Sequence, residues 1–355
     1  MAKSVACSAP YGSGGLGQHF TQVVEEVRQN GKLATYYSAR IQAGDSCGRV
    51  IQVSSRRWLP YTPFRYSPSW LNHLDNEWFD RTVAAQIAVT EEFEGFGGQA
   101  LHSFQKARQL GCKTLSLQAA NSHVNNVLRQ HQKAIQQFGI ETTWLNHAQC
   151  EKTICEYDLA DVIHVASEYT RQSFLEAGIA ANRLSRITLN IHPRFKPPQK
   201  YPDDGVFRIV YVGSLTVMKG IPVLLEAFSR LPEQNAELIL VGGWATRGMR
   251  RYLQSWLARD NRIRLAPGNP LPNLQQANVY VHPTYEDGFA YAPMEALACG
   301  VPVIVTEDTG MKEYVEDGVN GYVVPTGNWE AILESLKACQ RNPLRISQTY
   351  TSSHP

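Results

Sequence analysis

The sequence predicts an α/β protein made of two doubly wound parallel-sheet domains, and three observations lead there. Short apolar runs of strand length alternate with amphipathic stretches of helix length along nearly the whole chain. Glycines close several of the helical stretches, as at Gly31, Gly178 and Gly300. The chain has 355 residues, more than one core comfortably serves, and a proline-rich stretch without apolar period, residues 193–205, divides the pattern in two. The expected domains are residues 1–192 and 207–340, with a linker over 193–206 and a polar tail over 341–355.

Composition excludes several classes. Apolar content of 43% and charged content of 19% are ordinary for a soluble globular protein, and a net charge of +2 argues for no nucleic-acid partner. No apolar run approaches the roughly 18 residues that span a bilayer, and the N-terminus lacks the apolar region of a signal peptide. Seven scattered cysteines without C-x-x-C spacing fit a reduced, cytoplasmic protein.

In the first half, residues 4–9 read as a strand, followed by Gly12-Ser13-Gly14-Gly15-Leu16-Gly17 and a helix over 18–30 with Phe20, Val23, Val24 and Val27 at helical spacing. A strand, a glycine turn and a helix N-terminus suit an anion, because free N–H groups and the helix dipole favour phosphate. Gly12-x-Gly14-x-x-Gly17 is also the dinucleotide fingerprint, which needs an acid after the second strand. That strand, 33–37, runs into Ser38-Ala39-Arg40 with no acid before Asp45, so only an NADP-dependent enzyme stays open on this evidence. The stretch from Arg56 to Leu71 carries three arginines, five aromatics and three prolines with no acid. Its prolines argue against one long helix. Its surface suits a phospholipid head group or a lipid-linked sugar, hence peripheral contact with the inner membrane face, or else its aromatics pack onto the domain. Further strands are expected at 82–89, 113–117, 158–166 and 187–190, with helices within 94–110, over 124–138 and from a Ser167 cap to about 177.

In the second half, strands are expected at 207–212, 237–241, 262–266, 278–281, 301–305 and 322–324, and helices at 222–230, 249–258, 290–299 and 329–339. Two carboxylates stand out around the fourth of these strands: Asp287 in a loop and Glu295 in the following helix. At 1.5 Å per residue they would sit roughly 12 Å apart along a helix axis and would meet different parts of one long ligand.

The run from Asp287-Gly288-Phe289 through Glu295-Ala296-Leu297-Ala298-Cys299-Gly300 resembles the E-x7-E signature of the retaining glycosyltransferases of family GT4, which have the GT-B fold of two Rossmann-like domains facing a central cleft. Asp287 stands in the first acidic place, with Glu286 just before it. The resemblance implies a nucleotide-diphosphate sugar donor of UDP or GDP type, an acceptor-side first domain, a donor-binding second domain and no metal. It implies that Asp287, with Gly288 and Phe289, meets the donor sugar and that Glu295 holds the ribose. Gly213-Ser214-Leu215 with Lys219-Gly220 is similar to a G-R-L-x-x-x-K-G string whose two cations neutralise the diphosphate; Ser214 replaces the arginine, and Lys219 remains. Gly268 takes the place where the backbone commonly meets the base. Thr309-Gly310-Met311-Lys312-Glu313 resembles a turn whose amides bind phosphate. In the first half, Gly14-Gly15 match a loop that approaches the pyrophosphate and sugar, and His123 matches a site histidine near that sugar.

The resemblance therefore implies a hexosyltransferase with His123, Lys219 and Asp287 at the reaction centre and an unidentified acceptor. Relatives of this kind continue past the 329–339 helix, whereas only a polar tail follows here. Ser214, Asp287 and that tail keep a non-catalytic nucleotide-sugar-binding protein open as the alternative. A GT-B epimerase or phosphorylase shares the fold but not the spacing of Lys219, Asp287 and Glu295.

Overall fold

The structure, a computed structural model, describes residues 2–12, 14–40, 49–53, 61–232 and 235–344. It divides into two compact units, one formed by residues 1–128 and 142–189 and the other by 129–141 and 190–355.

The first unit contains β1 (Lys3–Cys7), α1 (Gly14–Gln29), β2 (Leu33–Ser38), β3 (Arg49–Gln52), α2 (Pro68–Gln86), β4 (Glu92–Phe96), α3 (Leu101–Gln109), β5 (Thr114–Ala119), the start of α4 (Val124–Gln137), α5 (His147–Leu159), β6 (Val162–Val165), α6 (Glu168–Glu176) and β7 (Leu184–Arg186). The strands form one parallel sheet in the order β3-β2-β1-β4-β5-β6-β7. Strand alternation feeds two separate cores. Val5 and Tyr36 join Phe20, Val24 and Phe96, while their neighbours Ala6 and Tyr37 join Phe93, Phe104 and Leu117.

Three expectations change here. Residues 82–86 belong to α2, not to a strand. Pro68 opens that helix, where a missing N–H costs nothing, and Phe79, Val83 and Ile87 recur at helical spacing into the core. The strand expected at 187–190 lies earlier, as β7, and Ile187 only donates its N–H to the Val165 carbonyl. Helix α5 is additional, and its buried face explains why no apolar period announces it: Gln149, Lys152, Thr153 and Glu156 all point inward.

Those polar residues bind three helices together. The Asp80 carboxylate accepts from the amides of His102 and Ser103 at 2.9 Å each. Glu156 accepts from Gly98 at 2.5 Å and Ala100 at 2.8 Å. Two buried carboxylates thus satisfy the free amides at the start of α3. Lys152 Nζ compensates them, hydrogen-bonded to Asp80, 3.0 Å from Glu77 and 3.8 Å from Glu156. Burial pushes the Glu156 carboxyl up to about 7, even though Lys152 opposes the rise. Removing the cation strands buried charge, so Lys152→Met should lower unfolding free energy by about 3–5 kcal/mol in urea denaturation.

The second unit contains β8 (Phe207–Val212), α7 (Ile221–Ser229), β9 (Ala236–Val241), α8 (Arg247–Leu257), β10 (Ile263–Leu265), α9 (Leu271–Leu274), β11 (Val279–His282), α10 (Tyr291–Ala298), β12 (Val303–Thr306), β13 (Gly321–Val324) and α11 (Trp329–Arg341). Its parallel sheet runs β10-β9-β8-β11-β12-β13. Residues 129–141, expected with the first domain, pack here: Ala134 joins the core of Ile209, Tyr211, Leu224, Val281 and Tyr285. Of the expected tail, residues 345–355 lie outside the described residues.

Strand order reverses between β8 and β11, so their carboxyl-end loops open a crevice at the sheet's switch point. Gly220, between β8 and α7, has φ +70°, and a Cβ on it would meet the Pro283 carbonyl oxygen at 1.8 Å. Ala290, at the start of α10, holds φ +68° despite its Cβ. The same pair of residue types therefore predicts opposite signs. Gly220→Ala should destabilise by several kcal/mol by forcing the two loops apart, on the order of overpacking plus strain. Ala290→Gly should stabilise by up to about 1 kcal/mol, read as a rise in melting temperature.

Candidate functional site

The switch point of the second unit gathers the residues that carry chemistry. The loop after β8 presents Lys219, and the loop after β11 presents Asp287. Backbone and side-chain bonds join these loops: the Met218 carbonyl accepts from Tyr285 N at 2.9 Å and Thr284 Oγ1 at 3.3 Å. From the other side, Glu141 accepts from Val217 N at 2.6 Å and from the Thr246 hydroxyl. Lys219 Nζ lies 2.6 Å from Asp287 Oδ2 and 3.4 Å from the Glu286 carbonyl oxygen. Both side chains stay partly open to solvent. His282, the last residue of β11, places Nε2 3.3 Å from the same Oδ2.

The electrostatics follow from that grouping. Burial alone would raise the Asp287 pKa, but the Lys219 ammonium and the His282 ring reverse this and hold it below the usual carboxylate range. Burial would likewise lower Lys219, and Asp287 raises it instead. His131, which belongs to this unit, is pushed down to about 3 by burial first and the Lys219 charge second. The arrangement is a fixed carboxylate beside a cation that is reachable from solvent, suited to an anion and a hydroxyl-bearing group held side by side.

The remaining second-half candidates surround this pair. Glu295 is buried on α10 rather than lying on a solvated helix face, and Asp287 precedes that helix, so the two acids are not on one helical rise. The Phe289 ring packs edge-on against Tyr291 and Tyr314, next to Gly288 in sequence. The Gly310 amide donates to the Asp287 carbonyl at 3.0 Å, and the Met311 amide donates to Thr309 Oγ1 at 3.4 Å, so both expected phosphate donors have partners within the chain. Ser214 is exposed in the β8 loop, its carbonyl accepting from the Tyr211 hydroxyl at 2.9 Å. Gly268 takes φ +120° beyond β10. Arg250, on α8, lies over the Trp244 ring at 5.6 Å. Sequence reading missed His282, Glu141 and His131. A histidine ending a strand at a switch point was the available signal for the first; nothing local marked the other two.

The first unit holds the other candidates. Gly14 and Gly15 open α1 with exposed backbone. His123, between β5 and α4, is buried against Tyr157 and Phe174, ring centroids 4.9 and 5.3 Å away. Burial lowers it to about 4, so it is neutral at physiological pH. Its Nδ1 accepts from Asn125 N at 3.3 Å, which leaves Nε2 as the hydrogen-bearing nitrogen. Beside it, at the carboxyl ends of β4 and β5, is a cavity of about 80 Å³ lined by Asn76, Gly98, Asn121, Ser122 and Gln149 among others. Among the described residues one group, Glu77, Asp80 and His102, has the spacing for a metal ion, but Lys152 already sits against both acids as their cation.

Comparison with known proteins bears on the fold and on the second unit. Residues 194–350 match the family model for glycosyl transferases group 1. The capsular polysaccharide biosynthesis glycosyltransferase CapM of Staphylococcus aureus is 32% identical over 138 residues, 37% of this chain and 36% of CapM. The chain thus matches only about a third of the length of such curated relatives. Over nearly the whole chain, sucrose-phosphate synthase from Thermosynechococcus elongatus superposes with TM-score 0.75 at 18% identity, covering 99% of this chain and 93% of that one. Anabaena HepE, solved in complex with UDP-glucose, superposes with TM-score 0.69 at 14% identity, covering 99% and 94%. The fold is GT-B, and residues 194–350 are similar to the glycosyl transferases group 1.

Proposed function

We propose that this protein moves a sugar from a nucleoside-diphosphate sugar to an acceptor hydroxyl with retained configuration. The observation that carries this reading is the Lys219–Asp287 pair at the switch point of the second sheet. Lys219 supplies the cation for the leaving diphosphate, Asp287 accepts from sugar hydroxyls, and buried Glu295 accepts from the ribose. Charge on the departing diphosphate is met by Lys219 and by the positive end of the α7 dipole, so the reading calls for no metal ion and no cofactor. Asp287 acts as a binding and electrostatic group and not as a covalent nucleophile. By the resemblance, Gly268 meets the base, and Gly14, Gly15 and His123 are the first unit's candidates for the donor's pyrophosphate and sugar. HepE's complex with UDP-glucose favours uridine over guanosine as the donor base.

The acceptor reads from the first unit. Among the described residues, no charged side chain lines its cavity, and amides and hydroxyls predominate at its polar wall. That chemistry suits the hydroxyl face of a sugar or polyol. Nearby in sequence, Tyr61, Phe64, Tyr66 and Trp70 are all exposed, which supports peripheral contact with a cytoplasmic membrane face that carries such an acceptor on a lipid. Arg56 and Arg57 of the same stretch lie outside the described residues, and no described helix is long and apolar enough to cross a membrane.

Calorimetric titration with UDP, GDP and ADP tests the donor site. One diphosphate should bind, and Lys219→Ala and Glu295→Ala should each weaken it about tenfold, equivalent to about 1.4 kcal/mol. Folded variants with unchanged affinity would remove both residues from the site. Release of free nucleotide from the matching nucleotide sugar distinguishes the enzyme from a binding protein. His123→Ala should depress that turnover more than it depresses nucleotide affinity.

A further inference from the structure

The hydrogen bonds behind Asp287 do not close with a neutral His282. Tyr280 Oη lies 3.2 Å from the Val212 carbonyl oxygen and 3.2 Å from His282 Nδ1. On the far side of the ring, Nε2 lies 3.3 Å from Asp287 Oδ2. A carbonyl oxygen and an ionised carboxylate can only accept, and a phenol has one hydrogen. If that hydrogen points to Val212, the phenolic oxygen serves His282 only as an acceptor, and Nδ1 must carry a hydrogen. Nε2, facing the carboxylate, must carry one as well. Both nitrogens carry hydrogen only in the imidazolium. A neutral ring leaves one of the three contacts without its hydrogen.

Two effects within the chain oppose that charge. The ring is buried, and the Lys219 ammonium shares its carboxylate; together they push His282 down against the pull of Asp287. The surrounding groups are few. Asp287 and Lys219 face the ring from the two loops, Tyr280 faces it along β11, and Tyr211, Glu295 and Asp287 act on Tyr280 in turn. Glu286 acts on Lys219, and His131 feels it from the 129–141 segment. Of these, Lys219 is the one whose charge an incoming diphosphate would engage.

We propose that His282 is a positioning residue that takes up a proton when the donor's diphosphate engages Lys219, and that the resulting imidazolium holds Asp287 against the sugar. This rests on the donor site proposed above. The balance is simple: one proton from solvent adds to His282 Nδ1, the Tyr280 hydroxyl turns to Val212, and no covalent bond besides N–H changes. The carboxylate keeps a cationic partner throughout, first Lys219 and then His282. Because the bound state holds more protons, affinity should be full at low pH and fall as pH rises from the free-state to the bound-state value of the ring.

The test is calorimetric titration of UDP, or whichever diphosphate binds, at neutral pH in PIPES and in Tris, whose ionisation heats differ. The wild type should take up as much as one proton more than His282→Gln, a difference in which the nucleotide's own phosphate equilibrium cancels. Relative to His282→Gln, wild-type affinity should fall by up to about tenfold per pH unit between the free-state and bound-state values of the ring and level off above the latter. Tyr280→Phe, which keeps the ring and removes its acceptor, should also reduce the uptake. If His282→Gln does not fold, histidine ring-nitrogen NMR of the wild type gives the same answer: both nitrogens should reach the imidazolium position on adding UDP. Equal uptake in wild type and variant, or a ring that stays neutral with UDP bound, overturns the proposal while leaving the donor site standing. Failure of every diphosphate to bind overturns the donor site, and this inference with it.

Discussion

The 2.6 Å ion pair between Lys219 and Asp287 depends on, and explains, much of the second unit's construction. Neither residue is near the other in sequence. They meet because β8 and β11 are neighbours at the point where strand order reverses, which aims both carboxyl-end loops into one crevice. The close approach of the loops requires a glycine at 220, whose missing Cβ makes room for the Pro283 carbonyl. It also uses Thr284 and Tyr285 to bind the Met218 carbonyl, so the lysine and the acid are positioned by backbone and not by their own flexible stems.

The first unit solves a similar problem with different groups. There the buried charges are structural: Asp80 and Glu156 cap α3, and Lys152 compensates them. Acid clusters of this kind resemble metal sites until the cation is identified, and here an ammonium occupies the position. His123 is likewise neutral because aromatic rings remove it from water, which makes it a hydrogen-bond donor and not a proton carrier at physiological pH. His282 differs from it in facing a carboxylate and a phenol, so its charge is open to change by what binds Lys219.

Strands and helices with a clear apolar period were legible throughout: β8, β9, α10 and α11 appear close to where the spacing places them. Elements whose buried faces are polar were not. Helix α5 hides Gln149, Lys152, Thr153 and Glu156, and a periodicity argument sees only a polar stretch. The apolar run at 82–89 is equally compatible with a strand or with the end of a helix, and Pro68, far upstream, decides for the helix.

The sequence alone determined the class of fold, the placing of two acids around one strand–helix unit, and the burial pattern that makes parallel sheets. These are local properties: spacing, glycine placement and apolar period survive in a one-dimensional reading. Tertiary structure decided which charges meet. Only the sheet order brings Lys219, His282 and Asp287 to one carboxylate oxygen, and only packing assigns residues 129–141, with Glu141 and His131, to the second unit. Contacts between residues distant along the chain depend on strand order and loop approach, which no local pattern encodes.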